Sequence, residues 1–465
     1  MNAELPINLS KMGHQRHAVL NHVTSREFRI AAIVSILHLP LGLLLYNAGP
    51  FAILHPLLSF GIGLLFAMKR QVPLVNVALA AAYIVGAEVL WRMAGIPIFW
   101  ESGKYMSAVI LIVALLRRHK LQIPVIPASY FVLLLPGCLI VLTGSNLSRL
   151  SQTLSFNLSG PMLLAVSCWF FHHVNLRPFE FKRLLIVCIL PLLSVAFTTM
   201  FYTVSTEELQ FTGESNAATS GGFGPNQVSS MLGLGVFLSL AGFVLFNKRS
   251  RFGVFFAVSA LFMAALSVLT FSRGGIYNAV GAVLILILFQ ARDLSKGIKV
   301  AAPVLILGTV FIMFIFPYLN SFTGGALEDR FEDTGTTNRW EIIEADVKVF
   351  LENPFLGAGV GESREFRKQF LEFSAASHTE FSRLLSEHGV FGLAALALMA
   401  VLVVTNLRRP NSRPGKAFIA GAVSWSFLFM MNAGMRLAAP SFMLGLACVT
   451  IANLRPGSKA LTPKP

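Results

Sequence analysis

Residues 184–202, LLIVCILPLLSVAFTTMFY, form an apolar run without a single charged side chain. As an α-helix this run is long enough to cross a hydrocarbon core about 30 Å thick. Basic residues stand just before it, at Arg177, Lys182 and Arg183. An apolar run beside a basic cluster is typical of a transmembrane helix, and the same pattern recurs along the chain.

The composition of the whole chain supports a membrane protein. It has 465 residues, of which 55% are hydrophobic and 13% are charged, and its mean hydropathy is +0.69. A water-soluble protein of this composition would expose large apolar patches. The formal net charge of +15 comes from short clusters between apolar runs, a pattern that indicates membrane topology rather than nucleic-acid binding. We therefore expect the lipid bilayer as a partner and no nucleic acid.

The apolar runs predict an all-α fold, a polytopic transmembrane helix bundle of about 14 spans within a range of 12–14. The runs begin near Phe28, Phe51, Leu74, Gly103, Pro124, Leu158, Leu184, Asn226, Gly253, Gly275, Val300, Phe381, Ala417 and Ser441. The four cysteines, Cys138, Cys168, Cys188 and Cys448, lie inside such runs without a CxxC pair, which predicts neither disulfides nor a zinc site.

The connections between the runs predict the orientation of the chain. Alternate connections are basic, as at 69–70, 117–120, 177–183, 248–251 and 408–409, and by the positive-inside rule they face the cytoplasm together with both termini. Residues 1–27 lack the features of a cleaved signal peptide. The two long connections, about 205–224 and 320–380, then lie outside the cytoplasm and hold most of the acidic residues.

The second long loop has a helical pattern of its own. Between Asn338 and Glu352 apolar residues recur at helical spacing, and Asn353-Pro354 ends the run. Three glycines at 357, 359 and 361 follow and return the chain toward His378. We expect a long extracytoplasmic loop that contains amphipathic helices.

Two arginines stand where an anion can bind. Arg339 lies in the first turn of the predicted loop helix, where free N–H groups and a guanidinium together suit a phosphate; the alternative is an exposed ion pair with Glu332 or Asp333. Arg273 lies in a tight turn between two runs, where it either contacts a ligand or caps carbonyls at the membrane boundary.

His378, just before the run at Phe381, is the candidate general base. A neutral imidazole accepts a proton from a hydroxyl, although a lone histidine is more often polar surface. Arg383 is predicted to lie inside the span, where it needs an anion or an aqueous cavity. His388 is predicted to be a packed side chain. The acidic stretch 328–333 reads as a solvated turn rather than a metal site.

Taken together, these motifs resemble the shared core of the bacterial O-antigen ligase and O-antigen polymerase superfamily. The resemblance rests on Gly224-Pro225-Asn226-Gln227, Ser272-Arg273-Gly274, Asn338-Arg339-Trp340, the stretch 353–359, His378 and the stretch 387–392. It covers about residues 225–400. Thr379-Glu380 departs from the family pattern, since many relatives have asparagine after the histidine.

The resemblance implies a metal-independent, inverting membrane glycosyltransferase without a cofactor. Its donor would be a glycan linked to undecaprenyl pyrophosphate, and its acceptor a second glycan or the lipid A core. By the same resemblance Arg273 and Arg339 would hold the pyrophosphate and His378 would be the base, while Asn226, Arg383 and Glu380 are candidate supporting residues. The enzyme would lie in the bacterial inner membrane with its active site facing the periplasm, beside other membrane proteins of polysaccharide assembly.

The resemblance also divides the chain. We expect a cytoplasmic tail (1–27), an N-terminal transmembrane region (28–224), a catalytic core (225–404) that includes the loop 320–380, C-terminal transmembrane helices (405–454) and a second tail (455–465). The polymerase reaction is favoured slightly over the ligase reaction. The alternative is a transporter or flippase of lipid-linked saccharides, which predicts charges near the midplane and repeated halves. The sequence shows its unusual charges at the boundary and no repeat, which favours the enzyme.

Overall fold

The structure is a computed structural model, and it describes residues 25–142, 147–206, 211, 214–215, 217–246, 248–291, 294–333, 335, 338–374 and 376–452. The predictions for most of the N-terminal tail, for the C-terminal tail and for Glu207 and Glu208 lie outside the described residues. Two short strands, β1 (Asn175–Leu176) and β2 (Thr450–Ile451), pair in parallel.

Helices make up most of the described chain. In the N-terminal part they are α1 (Ser25–Asn47, with a turn at residues 39–40), α2 (Gly49–Met68), α3 (Leu74–Met93), α4 (Ser102–Arg117), α5 (Val125–Val132), α6 (Cys138–Leu142), α7 (Leu147–His172) and α8 (Pro178–Ser205). The middle part contains α9 (Pro225–Leu245), α10 (Arg251–Leu269), α11 (Gly274–Gln290), α12 (Leu294–Val310), α13 (Phe316–Phe322), α14 (Ala326–Glu332) and α15 (Arg339–Glu352). The C-terminal part contains α16 (Ser363–Phe366), α17 (Glu380–Arg408), α18 (Arg413–Ala433) and α19 (Ala438–Leu446).

The chain is an integral membrane protein, but the expected count of about fourteen spans is not confirmed. Among the described residues, ten helices are long and apolar enough to cross a membrane, and α11 is a shorter apolar helix. Four predicted runs fall short. The run at Gly275 forms α11, with 17 residues; the run at Gly103 forms α4, with 16; and the run at Ser441 falls in α19, which has nine residues and ends at Leu446.

The fourth short run, at Pro124, is divided by its own sequence. It forms α5 and α6, which are separated by a turn that contains Pro136 and Gly137. Proline lacks the N–H that would continue a helix, so hydropathy alone overestimates the number of spans here.

Two helices show the difference between the centre of the bundle and its lipid-facing surface. In the helical stretch Ala218–Leu245, which includes α9, 83% of the most apolar 18 residues are buried inside the protein. In the helix over Gly297–Phe322 none of the most apolar 18 residues is buried. The second helix nevertheless has a mean hydropathy of 2.4. Several of its side chains pack partly against the core, but most of this apolar surface remains uncovered by the described chain, and such a surface is stable in lipid rather than in water.

Close approach of α9 and α11 fixes the turn that precedes α11. A Cβ added to Gly275 would lie 2.0 Å from the carbonyl oxygen of Ser229, and one added to Gly233 would lie 2.1 Å from the carbonyl oxygen of Gly275. Only glycine allows the two backbones to pack this closely. The start of α11 is therefore held against the buried centre of the bundle.

The basic connections meet one another at one end of the bundle. Arg118 donates to the carbonyl of Lys69, Trp169 donates to the carbonyl of Lys120, and Arg409 contacts the ring of His172. The turn at Arg273, helices α14 and α15 and the segment 376–379 lie together at the other end, as their contacts below show. The bundle therefore has one basic end and one end that carries the predicted site residues.

Candidate active site

Arg273 and Arg339, which the sequence places in separate segments, line the same cavity. This cavity, here called the arginine cavity, has a volume of about 470 Å³. Its other polar lining residues are Asn226, Ser272, Tyr277, Arg330, Asp333 and Asn432. The structure thus brings together Arg273, Arg339 and Asn226 of the predicted site residues.

Arg273 is positioned by a hydrogen-bonded turn at the start of α11. The hydroxyl of Ser229 donates to the carbonyl of Ser272 over 2.7 Å and accepts the N–H of Gly275 over 3.2 Å. The hydroxyl of Ser272 donates to Oδ1 of Asn226 over 2.8 Å, which gives Asn226 a supporting role in this turn.

The guanidinium of Arg273 is oriented by the loop that follows α14. It donates to the carbonyl of Gly335 over 3.0 Å and to the carbonyls of Arg330 and Asp333. This geometry matches the carbonyl-capping alternative for Arg273. Since the same side chain also lines the arginine cavity, capping and ligand binding are compatible.

Arg339 is the first residue of α15 and donates to Oδ1 of Asn432 over 2.8 Å. Asn432 is itself held by Oδ1 of Asn278 and the carbonyl of Leu428, at 3.2 and 2.8 Å. Burial lowers the pKa of Arg339, as do the nearby charges of Arg273 and Arg330. A guanidinium at a helix N-terminus, in a field of like charge, is placed to bind an anion.

The alternative ion pair for Arg339 does not form among the described residues. Asp333 instead lies 3.3 Å from Arg330 and 3.9 Å from Arg273, measured from carboxylate oxygen to guanidinium nitrogen. The cavity lining therefore contains three arginines and one acidic side chain. Arg330 is not among the site residues predicted from the sequence, because it lies inside an acidic stretch. Its position in the chain between two candidate arginines is the only sequence feature that points to it.

His378 lies half-buried in the segment that leads from the loop into α17. Burial and, to a smaller extent, the charges of Arg339, Arg436 and Arg367 lower its pKa to about 4. The imidazole is therefore neutral near pH 7 and free to accept a proton.

A buried cluster that the sequence analysis missed holds the backbone next to His378. Asp346 on α15 and Arg367 form an ion pair in which both side chains are almost fully buried. Arg367 also donates to the hydroxyl of Ser377 over 2.7 Å, and the hydroxyl of Ser382 donates to Asp346 over 2.7 Å. One helix thus carries Arg339 at its start and fixes the His378 segment two turns later. Periodicity could not reveal this, because Asp346 interrupts an amphipathic pattern like any polar residue.

Arg383 and Glu380 lie away from the arginine cavity. Arg383 forms ion pairs with Glu380 and Glu387, both at 2.6 Å, which supply the anions that its position in a span requires. Glu380 also accepts the N–H of Met435 over 3.1 Å. Both residues are therefore structural supports of the site end of the bundle. His388 is fully buried, as a packed side chain should be.

A second cavity is lined by Ser377, the residue before His378, and is here called the aromatic cavity. Its volume is about 620 Å³, and its lining includes Trp100, Phe156, Asn157, Ser377 and Arg436. Arg436 donates to the carbonyl of Ser377 over 2.8 Å. His378, which follows Ser377, is thus close to cationic residues of both cavities.

The fold and the site define a polytopic membrane protein with a cationic cavity and a neutral histidine at one end of its helix bundle. Comparison with protein families agrees: residues 258–397 match the family model described as O-antigen ligase. This match confirms the resemblance to the O-antigen ligase and polymerase superfamily over that part of the chain, which contains Arg273, Arg339 and His378. Neither the curated proteins nor the solved structures gave a match.

Proposed function

We propose that this protein transfers a glycan from undecaprenyl pyrophosphate to a hydroxyl of an acceptor glycan, in the synthesis of O-antigen or a related polysaccharide. The observation that carries the proposal is the convergence of three arginines on one cavity, together with a neutral histidine on which the charge of one of them, Arg339, acts. The family match supports the same reaction class, because the family is described as O-antigen ligase.

The donor's pyrophosphate would bind in the arginine cavity. The pyrophosphate is the leaving group, and its negative charge increases as the glycosidic bond breaks. Cations fixed in advance therefore stabilise the transition state more than the ground state. Guanidinium groups suit this task because they stay charged and bind phosphate oxygens in pairs. Arg273 and Arg330 come from two segments tied by direct contacts, and Arg339 adds the N-terminus of α15.

His378 would act as the general base. It takes the proton of the acceptor hydroxyl while that oxygen forms a bond to the anomeric carbon of the donor. The bond between that carbon and the pyrophosphate oxygen breaks on the opposite face, which inverts the configuration. Undecaprenyl pyrophosphate leaves as the anion, and the proton remains on the imidazole until solvent removes it.

We further propose that the site end of the bundle faces the periplasm of the inner membrane. The support is the charge distribution, since the basic connections meet at the opposite end and such clusters stay in the cytoplasm. The acceptor is a second lipid-linked repeat in a polymerase and the lipid A core in a ligase. The polymerase is favoured slightly.

A reconstituted assay tests the reaction. Purified protein in liposomes receives an undecaprenyl-pyrophosphate-linked repeat, either alone or with lipid A core, and the products are separated by size. We expect longer lipid-linked chains from the first mixture or glycosylated lipid A core from the second. EDTA should leave the rate unchanged, because arginines rather than a metal are proposed to neutralise the leaving group.

Two results would overturn this proposal. If the protein moved the lipid-linked repeat across the liposome membrane without forming any product, it would be a transporter. If EDTA stopped transfer and a divalent cation restored it, the leaving group would depend on a metal, and the acidic residues 328–333 would need to be tested as ligands.

A further inference from the structure

The aromatic cavity differs chemically from the arginine cavity. Its lining contains four arginines and two glutamates, and part of this charge is neutralised within the protein: Arg383 pairs with Glu387, and Glu101 pairs with Lys104 at 2.5 Å. Arg367, also in the lining, pairs with Asp346. What distinguishes this cavity is the number of neutral polar groups and aromatic rings that surround these charges.

One wall of the aromatic cavity comes from the start of α7. Here five uncharged polar side chains occur within seven residues, an unusual composition for the end of an apolar helix. They are Ser151, Gln152, Thr153, Ser155 and Asn157. Hydroxyl and amide groups both donate and accept hydrogen bonds, so this wall matches the hydroxyl groups of a saccharide.

Aromatic rings form another part of the lining. Phe99, Trp100 and Phe156 remain 55%, 50% and 39% exposed although they line a cavity. Rings that stay exposed beside amide and hydroxyl groups offer flat apolar surfaces on which the C–H faces of sugar rings pack. Arg436 stands over the ring of Phe156 at 6.0 Å and has N–H groups to spare after its bond to Ser377.

We infer that the aromatic cavity binds the acceptor glycan and presents its hydroxyl to His378. The inference rests on the proposed function, since it assigns the second substrate of the same reaction. Its geometric basis is the position of His378. Ser377, the residue before it, lines the aromatic cavity, and the charge of Arg339, which lines the arginine cavity, lowers the pKa of His378. Acceptor and leaving group then occupy separate cavities, as an attack from the opposite face requires.

The test compares Phe156→Ala with wild type in the reconstituted assay. The acceptors are lipid A core and a lipid-linked repeat, each varied at saturating donor. Loss of one stacking ring should raise the KM for the acceptor about tenfold. The KM for the donor should stay within about twofold, because the arginine cavity is unchanged. Gln152→Ala, on the polar wall, should raise the acceptor KM in the same direction by a smaller factor.

Phe201→Ala is the matched control, because Phe201 is a phenylalanine on another long helix, α8, is 47% exposed and lies outside the lining of both cavities. It should leave both KM values unchanged. An unchanged acceptor KM in both cavity variants, or a rise of the donor KM instead, would overturn the assignment.

A binding measurement separates this inference from the proposed function. Fluorescent lipid A core and fluorescent lipid-linked repeat are titrated into wild type and Phe156→Ala in nanodiscs without donor. Binding that weakens about tenfold in the variant supports the cavity even if wild type transfers nothing, in which case the proposed reaction fails alone. Equal binding by both proteins, or no binding of either glycan to wild type, refutes the cavity assignment.

Discussion

The two cavities near His378 are similar in size but differ in chemistry. The arginine cavity measures about 470 Å³ and has three arginines against one aspartate, whereas the aromatic cavity measures about 620 Å³ and has rings, hydroxyls and amides besides four arginines and two glutamates. The first has few groups other than its charges and the amides that hold them. The second pairs Arg367 and Arg383 with buried carboxylates and adds neutral polar groups and rings for a ligand.

This difference suggests how one histidine can serve a transfer between two glycans. A leaving group that gains negative charge needs fixed cations, but a sugar hydroxyl that loses a proton needs only a neutral base and correct placement. Burial keeps His378 neutral, and the charges of Arg339, Arg436 and Arg367 act in the same direction.

The largest expected effect is that of His378→Ala, which removes the proposed general base. Loss of a positioned general base typically lowers the rate about a hundred- to ten-thousandfold. Binding of the lipid-linked donor should persist, because the arginine cavity remains intact. Turnover and donor binding, measured on the same reconstituted samples, should therefore separate.

The control for this variant is His173→Ala, which changes a partly exposed histidine just after α7, away from both cavities. It should transfer at the wild-type rate. Near-normal transfer by His378→Ala would remove the histidine from the mechanism. A loss of donor binding as complete as in an Arg273→Ala variant would instead place His378 in the donor site.

Arg339→Lys should have the next largest effect, and it should fall on the donor side only. Lysine keeps the charge but replaces a planar fork by a single point charge, and it also breaks the bond to Asn432. We expect kcat/KM for the donor to fall about tenfold or more, with the acceptor KM unchanged. Arg117→Lys, at the exposed basic end of α4, should have no effect. Equal activity of Arg339→Lys and wild type would show that the contact with Asn432 is merely structural.

These two variants change residues that the sequence alone picked out, and the reason is local. Arg273, Arg339 and His378 each stand next to a turn or helix start, and helix starts are legible in a sequence. The limits of α15 agree with the predicted stretch to within one residue for the same reason. The number of spans was harder to predict, because hydropathy does not tell a long helix from the broken pair α5 and α6.

What the sequence did not reveal depends on contacts between distant segments. Arg330 joins the arginine cavity because its Nε donates to the carbonyl of Phe271 over 3.0 Å, across 59 positions of the chain. Asp346 and Arg367 form their buried pair across 21 positions. The aromatic cavity combines the start of α7 with the segments around Trp100 and Arg436. Neither periodicity nor motif spacing encodes such pairings.

The smallest expected effect is on the pH dependence, and it tests whether both cavities act on His378. With a pKa of about 4 the imidazole stays almost fully neutral down to pH 5.5, so kcat/KM at pH 5.5 should lie within about twofold of its value at pH 7. A histidine at the ordinary pKa of about 6.5 would lose about eightfold over the same interval, because protonation removes the base.

Arg339→Gln takes away one of the positive charges that hold the pKa of His378 down. Since burial is the larger cause of the lowered pKa, the acid limb of the variant's normalised pH–rate profile should move up by only a few tenths of a pH unit. Circular dichroism at each pH would verify that the protein stays folded. An eightfold fall of kcat/KM between pH 7 and pH 5.5 in wild type would mean that His378 titrates at its ordinary pKa. The burial and the nearby charges seen in the structure would then not act on it.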